Sequence, residues 1–266
     1  MRKRALGALF LGGLAAAGII GWAGPYAGQM GAVQEFFAAT LAEDEAAFVF
    51  LGYSAVLVRT AQGAIVVDPA MLLQKEDMDL FRVKKIDAVL YTHAHGDHFD
   101  VDTAALLFKA TGAPVGAEGA VLQALRRGGV LPSDKIIDLG GLRPRTMGGA
   151  GVTPVRGSHV GPTILFHVTL GKIGVFHGGD SAAVPLGGRA AGLAFLPAGD
   201  PSPTASPDDA LKMALELKPG VIVAFHGSDE QAEELRKKVK ASLPGTEVIV
   251  PQTLKLYRVK VGETPK

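Results

Sequence analysis

Short apolar runs broken by glycine-containing turns dominate the chain after its first thirty residues. Residues 47–52, 55–60 and 64–68 are separated by Gly52-Tyr53-Ser54 and Gln62-Gly63. They predict an antiparallel meander of three strands. The run Ile86-Asp87-Ala88-Val89-Leu90-Tyr91 reads as a further, buried strand. Residues 103–110 and 120–127 carry helical periodicity, and Gly128-Gly129 stops the second. Strands return at 151–155, 164–170 and 173–177, the last two joined through Gly171-Lys172 as a hairpin. Ser206-Pro207-Asp208-Asp209 then opens a helix that ends before Pro219. The serine caps it, the proline occupies a first-turn position that needs no N–H, and the acids face the positive end of the helix dipole. Residues 221–225 form another buried strand. Ser228 to Gln231 makes a capping box for a last helix, with Arg236, Lys237, Lys238 and Lys240 in its C-terminal half. Strands first, then strands mixed with helices, predict an α/β fold of two mixed sheets covered by helices.

The N-terminus follows another pattern. Met1-Arg2-Lys3-Arg4 is basic, residues 5–34 carry no charge, and the 19 residues 5–23 are all apolar or glycine. Gly7, Gly12, Gly13, Gly18, Gly21 and Gly24 would weaken a buried helix in water. The segment is read as an export signal or membrane anchor over residues 1–34, an uncleaved anchor standing slightly ahead of a cleaved signal. Residues 35–266 are expected to form one domain. The basic start puts that domain outside the cytoplasm, periplasmic or membrane-anchored, with membrane contact through the N-terminal segment.

Composition changes the picture in two respects. With 27 Lys and Arg against 26 Asp and Glu, the net charge is +1, and the body without Arg2, Lys3 and Arg4 stands at −2. No long basic run marks a nucleic-acid footprint, so no nucleic-acid partner is expected. The chain has no cysteine, which removes disulfides, thiolate ligands and thiol nucleophiles together.

The chemistry concentrates at the end of the strand over 86–91. Thr92-His93-Ala94-His95-Gly96-Asp97-His98 places three of the chain's seven histidines and one carboxylate within six residues. Alternate residues at a strand end point the same way, so His93 and His95 can converge on one point while Asp97 and His98 serve a second. Neutral imidazole and carboxylate suit zinc, iron or manganese. Asp68 ends its strand on the same side as the cluster. Gly178-Gly179 suits a tight turn that brings Asp180 inward. His177 either lines the site or packs at a strand end. His167 reads as structural, and Asp100 as a helix cap.

His-x-His-x-Asp-His after a buried strand resembles the metal signature of the metallo-β-lactamase superfamily. Downstream follow His159 in Arg-Gly-Ser-His, Asp180 in Phe-His-Gly-Gly-Asp-Ser and His226 in Val-Ala-Phe-His-Gly, in the order that family uses. The resemblance covers roughly residues 48–258. It implies a four-layer αββα sandwich with one or two divalent metal ions at one edge, zinc foremost, manganese or iron as alternatives. His93, His95 and His159 would hold the first ion. Asp97, His98, Asp180 and His226 would hold the second, with Asp180 bridging. An Asp at position 68 would support a metal-binding histidine from behind by accepting its other ring N–H. The implied reaction is hydrolysis of a small-molecule ester, lactone or phosphodiester by metal-activated water, with Asp97 and Asp180 as the catalytic carboxylates. Gly157-Ser158-His159 lacks the Gly-x-Ser-x-Gly elbow of a serine hydrolase.

Within the superfamily, Phe50-Leu51-Gly52-Tyr53-Ser54, Val67-Asp68-Pro69, Leu196-Pro197-Ala198-Gly199-Asp200 and Ser206-Pro207-Asp208-Asp209-Ala210 resemble a branch of metal-dependent hydrolases related to the ascorbate-6-phosphate lactonases. That branch has Thr-Met where this chain has Thr204-Ala205, and often Tyr where this chain has Gly227, so its substrate is not carried over. A membrane-facing phosphodiesterase resembling the N-acyl phosphatidylethanolamine phospholipase D family is the alternative, since Thr92 to Asp100 fits its motif. A non-catalytic metal-binding module is a further one, against which the full ligand set argues. His95 argues against a flavodiiron oxidoreductase, and Val101 with the near-neutral body against a tRNA-processing nuclease.

Overall fold

The computed structural model describes residues 31–82 and 85–261. The expected signal or anchor lies outside them as far as residue 30. Among the described residues no helix is long and apolar enough to cross a membrane. A short helix, α1 (Gly31–Ala38), overlaps the boundary expected at residue 35 and buries Val33, Phe36 and Phe37. Arg59 holds its C-terminal end by donating to the carbonyls of Phe37 and Ala39.

The meander forms as expected. Strands β1 (Glu45–Gly52), β2 (Ala55–Thr60) and β3 (Ala64–Val67) pair antiparallel. Strand β4 (Ala88–Leu90) then runs parallel to β3 and is shorter than the 86–91 run suggested. Helix α2 (Val101–Thr111) starts at Asp100, whose carboxylate accepts from Thr103 N at 2.7 Å, so the expected cap is present. Strand β5 (Val115–Ala117), helix α3 (Gly119–Gly128) and strand β6 (Ile136–Asp138) complete the first half.

The second half holds β7 (Arg145–Met147), β8 (Ala150–Arg156), β9 (Ile164–Leu170), β10 (Ile173–His177), β11 (Leu193–Pro197), α4 (Pro207–Leu217), β12 (Val221–Phe225), α5 (Asp229–Ser242), β13 (Glu247–Ile249) and β14 (Leu256–Lys260). Ser206 and Ser228 cap α4 and α5 as their sequences foretell. Two seven-stranded sheets result, in the orders β14-β1-β2-β3-β4-β5-β6 and β13-β12-β11-β10-β9-β8-β7. The last strand, β14, returns to pair antiparallel with β1 and forms one edge of the first sheet.

Three apolar clusters show the layering. One packs α1, α2 and α3 on the outer face of the first sheet, one fills the space between the sheets, and one packs α4 and α5 on the outer face of the second. This is the four-layer αββα sandwich. Strand alternation assigns the faces: Phe48 and Leu90 point between the sheets, Val49 and Val89 toward the helices. Phe48 meets Phe195 of the opposite sheet edge-on at 5.4 Å, a contact worth about 0.5–1.5 kcal/mol beyond its burial.

The parallel strands decide where chemistry can sit. β3 and β4 run parallel to each other in the first sheet, as do β10, β11 and β12 in the second. The loops after these strands carry Asp68, the His93–His98 run, Asp180, the Gly199–Ala205 segment and His226. Ligands of open α/β sheets bind outside the carboxyl ends of such strands.

Candidate metal centre

Seven side chains converge at this edge, in the two groups expected. Ligand atoms of His93, His95 and His159 form one group, and those of Asp97, His98, Asp180 and His226 the other, each spanning no more than 4.8 Å. His95 Nδ1 stands 2.9 Å from His93 Nε2 and 3.3 Å from His159 Nε2. Ligands at ~2.05 Å from a tetrahedral ion stand about 3.3 Å apart, so these nitrogens are spaced as an ion's first coordination sphere requires. In the second group His98 Nε2 and His226 Nε2 lie 3.0 and 3.1 Å from Asp180 Oδ1, and His98 Nε2 lies 3.7 Å from Asp97 Oδ2. The other oxygen of Asp180 faces the first group, 3.9 Å from His159 Nε2.

Asp180 Oδ1 is the atom that most needs a cation. It is buried and, among the described residues, makes no well-angled hydrogen bond, although two imidazole nitrogens lie close. A buried carboxylate oxygen with no well-angled donor costs free energy unless a cation stands beside it. The donor set of imidazoles and carboxylates, without thiolate, fits a divalent transition ion of the zinc, iron or manganese kind.

The polar groups behind the cluster aim its nitrogens. Asp68 is fully buried. Its Oδ2 accepts from His98 Nδ1 at 2.8 Å and from Thr92 Oγ1 at 2.6 Å, and its Oδ1 accepts from Thr92 N at 2.7 Å. Thr92 Oγ1 spends its proton on Asp68, so its oxygen accepts from His93 Nδ1 at 3.1 Å. Ser54 Oγ lies 2.9 Å from His98 Nδ1. His93 and His98 therefore turn their Nε2 atoms to the centre. Asp68 and Ala70 adopt left-handed backbone conformations, and Ala70 N donates to His98 O at 3.1 Å.

Burial lowers His93, and the neighbouring His98 lowers it further, to about 3, so its imidazole is neutral with a free lone pair. Burial would lower His98 as well, but Asp68 and Asp180 outweigh burial and raise it to about 10. Burial would raise Asp180, but His226 and His98 hold it well below the usual carboxylate range. Asp68 is likewise lowered, burial being overcome mainly by His98. The charged His98 thus answers two buried carboxylates where an ion's charge would otherwise do so.

His177 is settled as a packing residue. Its Nε2 donates to Ser54 O at 2.9 Å, its Nδ1 accepts from Gly179 N at 3.2 Å, and the ring stacks on Phe225. Both nitrogens are used away from the cluster, and the contact fixes the turn that carries Ser54. His167 bonds Ala190 O, as a structural histidine should. Gly179 has φ +50°, and a Cβ there would stand 3.1 Å from Thr92 Cβ. Gly227, where a tyrosine is common in the resembling branch, faces Ala198: an added Cβ would lie 3.0 Å from Ala198 Cβ. Ser54 and Thr92 carry no signal beyond their neighbours in sequence, because hydroxyls at strand ends are common. Only the tertiary approach of β2, β3 and β4 gives them partners.

A cleft of about 80 Å³ opens beside His93 and His95, lined by Ala94, Glu118, Ala120, Val160, Gly161 and Pro162. Glu118 is buried, and Arg156 from outside the cleft pairs with its Oε1 at 2.5 Å.

The family model described as beta-lactamase superfamily domain matches residues 47–226. The chain belongs to the metallo-β-lactamase superfamily, and its class is that of the metal-dependent hydrolases. The metal-dependent hydrolase TTHA1283 of Thermus thermophilus, of the UPF0173 group, is 32% identical over 190 residues, 66% of this chain and 81% of that protein. Igni18, a metallo hydrolase from the hyperthermophilic archaeon Ignicoccus hospitalis, has the same fold with a TM-score of 0.63 at 21% identity, covering 81% of this chain and 98% of its own. The metallo-beta-lactamase fold protein YhfI of Bacillus subtilis matches with a TM-score of 0.61 at 17% identity over 81% of this chain and 100% of its own.

Proposed function

We propose that the protein hydrolyses a neutral carboxylic ester or lactone at a two-ion centre. His93, His95 and His159 would hold one divalent ion, and Asp97, His98, Asp180 and His226 the other. Asp180, with one oxygen toward each group, would balance the charge of both. The observation that carries this reading is the convergence of two ligand groups on one buried carboxylate, Asp180, whose Oδ1 faces the second group while Oδ2 faces the first. Zinc is the favoured ion on its donor set.

Two divalent ions at such a site supply an activated water and positive charge for the oxygen that develops negative charge. The chain's residues do the rest. Asp68, Ser54 and Thr92 keep His98 and His93 oriented. Asp97, with a side chain 31% exposed, is the carboxylate of the cluster with the best access to solvent. In the proposed step, the water oxygen bonds to the carbonyl carbon and the bond from that carbon to the leaving oxygen breaks. Asp97 takes one proton from the water and delivers it to the leaving oxygen, giving acid and alcohol.

The choice of a neutral ester over a phosphodiester rests on the cleft. Its lining offers a carboxylate and small apolar side chains, with no lysine or arginine among them. Arg156 is already spent on Glu118 from outside, so the cleft lining offers a phosphodiester's charge no cation of its own beyond the metal site. The test is a panel of p-nitrophenyl acetate, γ-lactones and bis(p-nitrophenyl) phosphate on the zinc-loaded full chain. Turnover of the neutral substrates is expected. Turnover of the phosphodiester alone would favour the phosphodiesterase reading, and a zinc-bound chain inert to all of them would favour a binding module.

A further inference from the structure

The loop after β11 returns to the metal centre, and one hydroxyl in it touches both groups of ligands. Thr204 Oγ1 donates to the backbone carbonyl of Asp180 at 2.7 Å and stands 2.8 Å from His159 Nδ1. A carbonyl can only accept, so the threonine proton goes to Asp180 O and the oxygen is left to accept. His159 Nδ1 must therefore carry its hydrogen and donate it. The other nitrogen, Nε2, is thereby deprotonated and turned to the first group, 3.3 Å from His95 Nδ1. With the opposite tautomer a proton would sit among the three converging nitrogens and remove one ligand from the set.

The loop that presents Thr204 is itself tied down. Ser202 is buried and donates from Oγ to the same Asp180 carbonyl at 2.7 Å. Asp200 N donates to Gln231 Oε1 of α5 at 3.0 Å. Gly199 has φ +150°, and a Cβ there would overlap the Gln231 amide at 2.3 Å, so the chain leaves β11 against α5. The loop is built to place one hydroxyl between a residue of the first group and a residue of the second.

We infer that Thr204 is a positioning residue that sets the tautomer of His159 and holds it in register with Asp180, and so governs how tightly the first ion is bound. The inference rests on the two-ion reading above. Partners that hold a ligand histidine's outer nitrogen typically control metal affinity by about 10–100-fold. Thr204 differs from Asp68 in acting on the first group, and through a neutral hydroxyl whose direction is fixed by a backbone carbonyl.

The experiment titrates Zn²⁺ into the metal-free full chain as wild type, Thr204→Val and Thr204→Ser. Nitrogen NMR of the histidine side chains is recorded on the wild type. Valine keeps the shape and removes both hydrogen bonds, while serine keeps the hydroxyl. The expected result is that valine weakens the tighter-bound or the weaker-bound ion of the pair, whichever His159→Ala also weakens, by about 10–100-fold. Serine should stay within about threefold of wild type, and metal-free wild-type His159 should carry its proton on Nδ1. Wild-type affinity in the valine variant, equal losses in both variants, or an Nε2-protonated His159 overturns the inference. The tautomer measurement needs no variant, so a valine chain that fails to fold leaves it decisive. A wild type that takes up no zinc would instead overturn the two-ion reading, and with it the role assigned to Thr204.

Discussion

Replacing Asp68 by Asn should separate the ion pair from the hydrogen bonds that share one buried carboxylate. The amide keeps the shape and can still accept from Thr92 N, but it cannot balance the charge on His98. Moving His98 from 6.5 to about 10 in the metal-free chain corresponds to roughly 5 kcal/mol of net preference for its charged form. Asp68 and Asp180 share that effect, so losing Asp68 should cost about 2–3 kcal/mol. This is somewhat below the ~3–5 kcal/mol typical when a buried pair loses one partner outright. The sign with pH follows from both partners. His98 is raised, so its contribution is complete below its unfolded value of 6.5 and fades as pH rises through about 10. Asp68 is lowered, so its contribution is complete above its unfolded value of 3.8 and fades as pH falls below that. The pair therefore stabilises most between about pH 4 and 6.5. Urea unfolding of the metal-free wild type and Asp68→Asn at pH 6 and again near pH 10 reads the difference. A loss of about 2–3 kcal/mol at pH 6 that shrinks by more than half near pH 10 is expected. An equal loss at both pH values would assign the effect to the bonds with Thr92, and no loss at all would reduce Asp68 to a turn residue.

Other consequences follow from the same geometry. Zinc binding at pH 7 should release about one proton from His98 Nε2, read by calorimetry in two buffers of different ionisation enthalpy; a buffer-independent heat would contradict the charged state assigned to His98. Gly179→Ala forces a side chain into a left-handed position 3.1 Å from Thr92 Cβ and should cost about 1–3 kcal/mol in thermal unfolding, whereas an unchanged melting temperature would show that the turn has room. Residues 1–30 fused to a reporter should export it, because a basic start precedes an uncharged run; reporter activity confined to the cytoplasm would remove the extracytoplasmic proposal.

The candidate ligands were legible because metal chemistry writes itself into residue type and spacing. His93, His95 and His98 follow a strand within six residues, and His159, Asp180 and His226 each stand at the end of a recognisable apolar run. The meander, the hairpin at Gly171-Lys172 and the caps at Asp100, Ser206 and Ser228 were equally readable, since each is decided by neighbours in sequence. The strands β5, β6, β7 and β13, three residues each, were not, because so short a run shows no alternation. β14 was not legible either, because its place as the edge strand beside β1 is set by a partner about two hundred residues away. The supports at Ser54, Thr92 and Thr204 belong to the same class: ordinary hydroxyls whose meaning comes from which loops the two sheets bring together. Sequence left His177 open between lining the site and packing at a strand end, and its two hydrogen bonds decide for packing.

The central claim is that Asp180 joins two ions into one hydrolytic centre, and Asp180→Asn tests it most directly. Metal content by elemental analysis and turnover on the neutral ester and lactone panel are measured together on wild type and variant. An amide cannot balance the charge of two divalent ions, so the account predicts up to two ions in the wild type, fewer in the variant, and loss of hydrolysis with the missing ion. A variant that retains two ions and hydrolyses at the wild-type rate would show that Asp180 does not join them and that the two-ion mechanism is wrong.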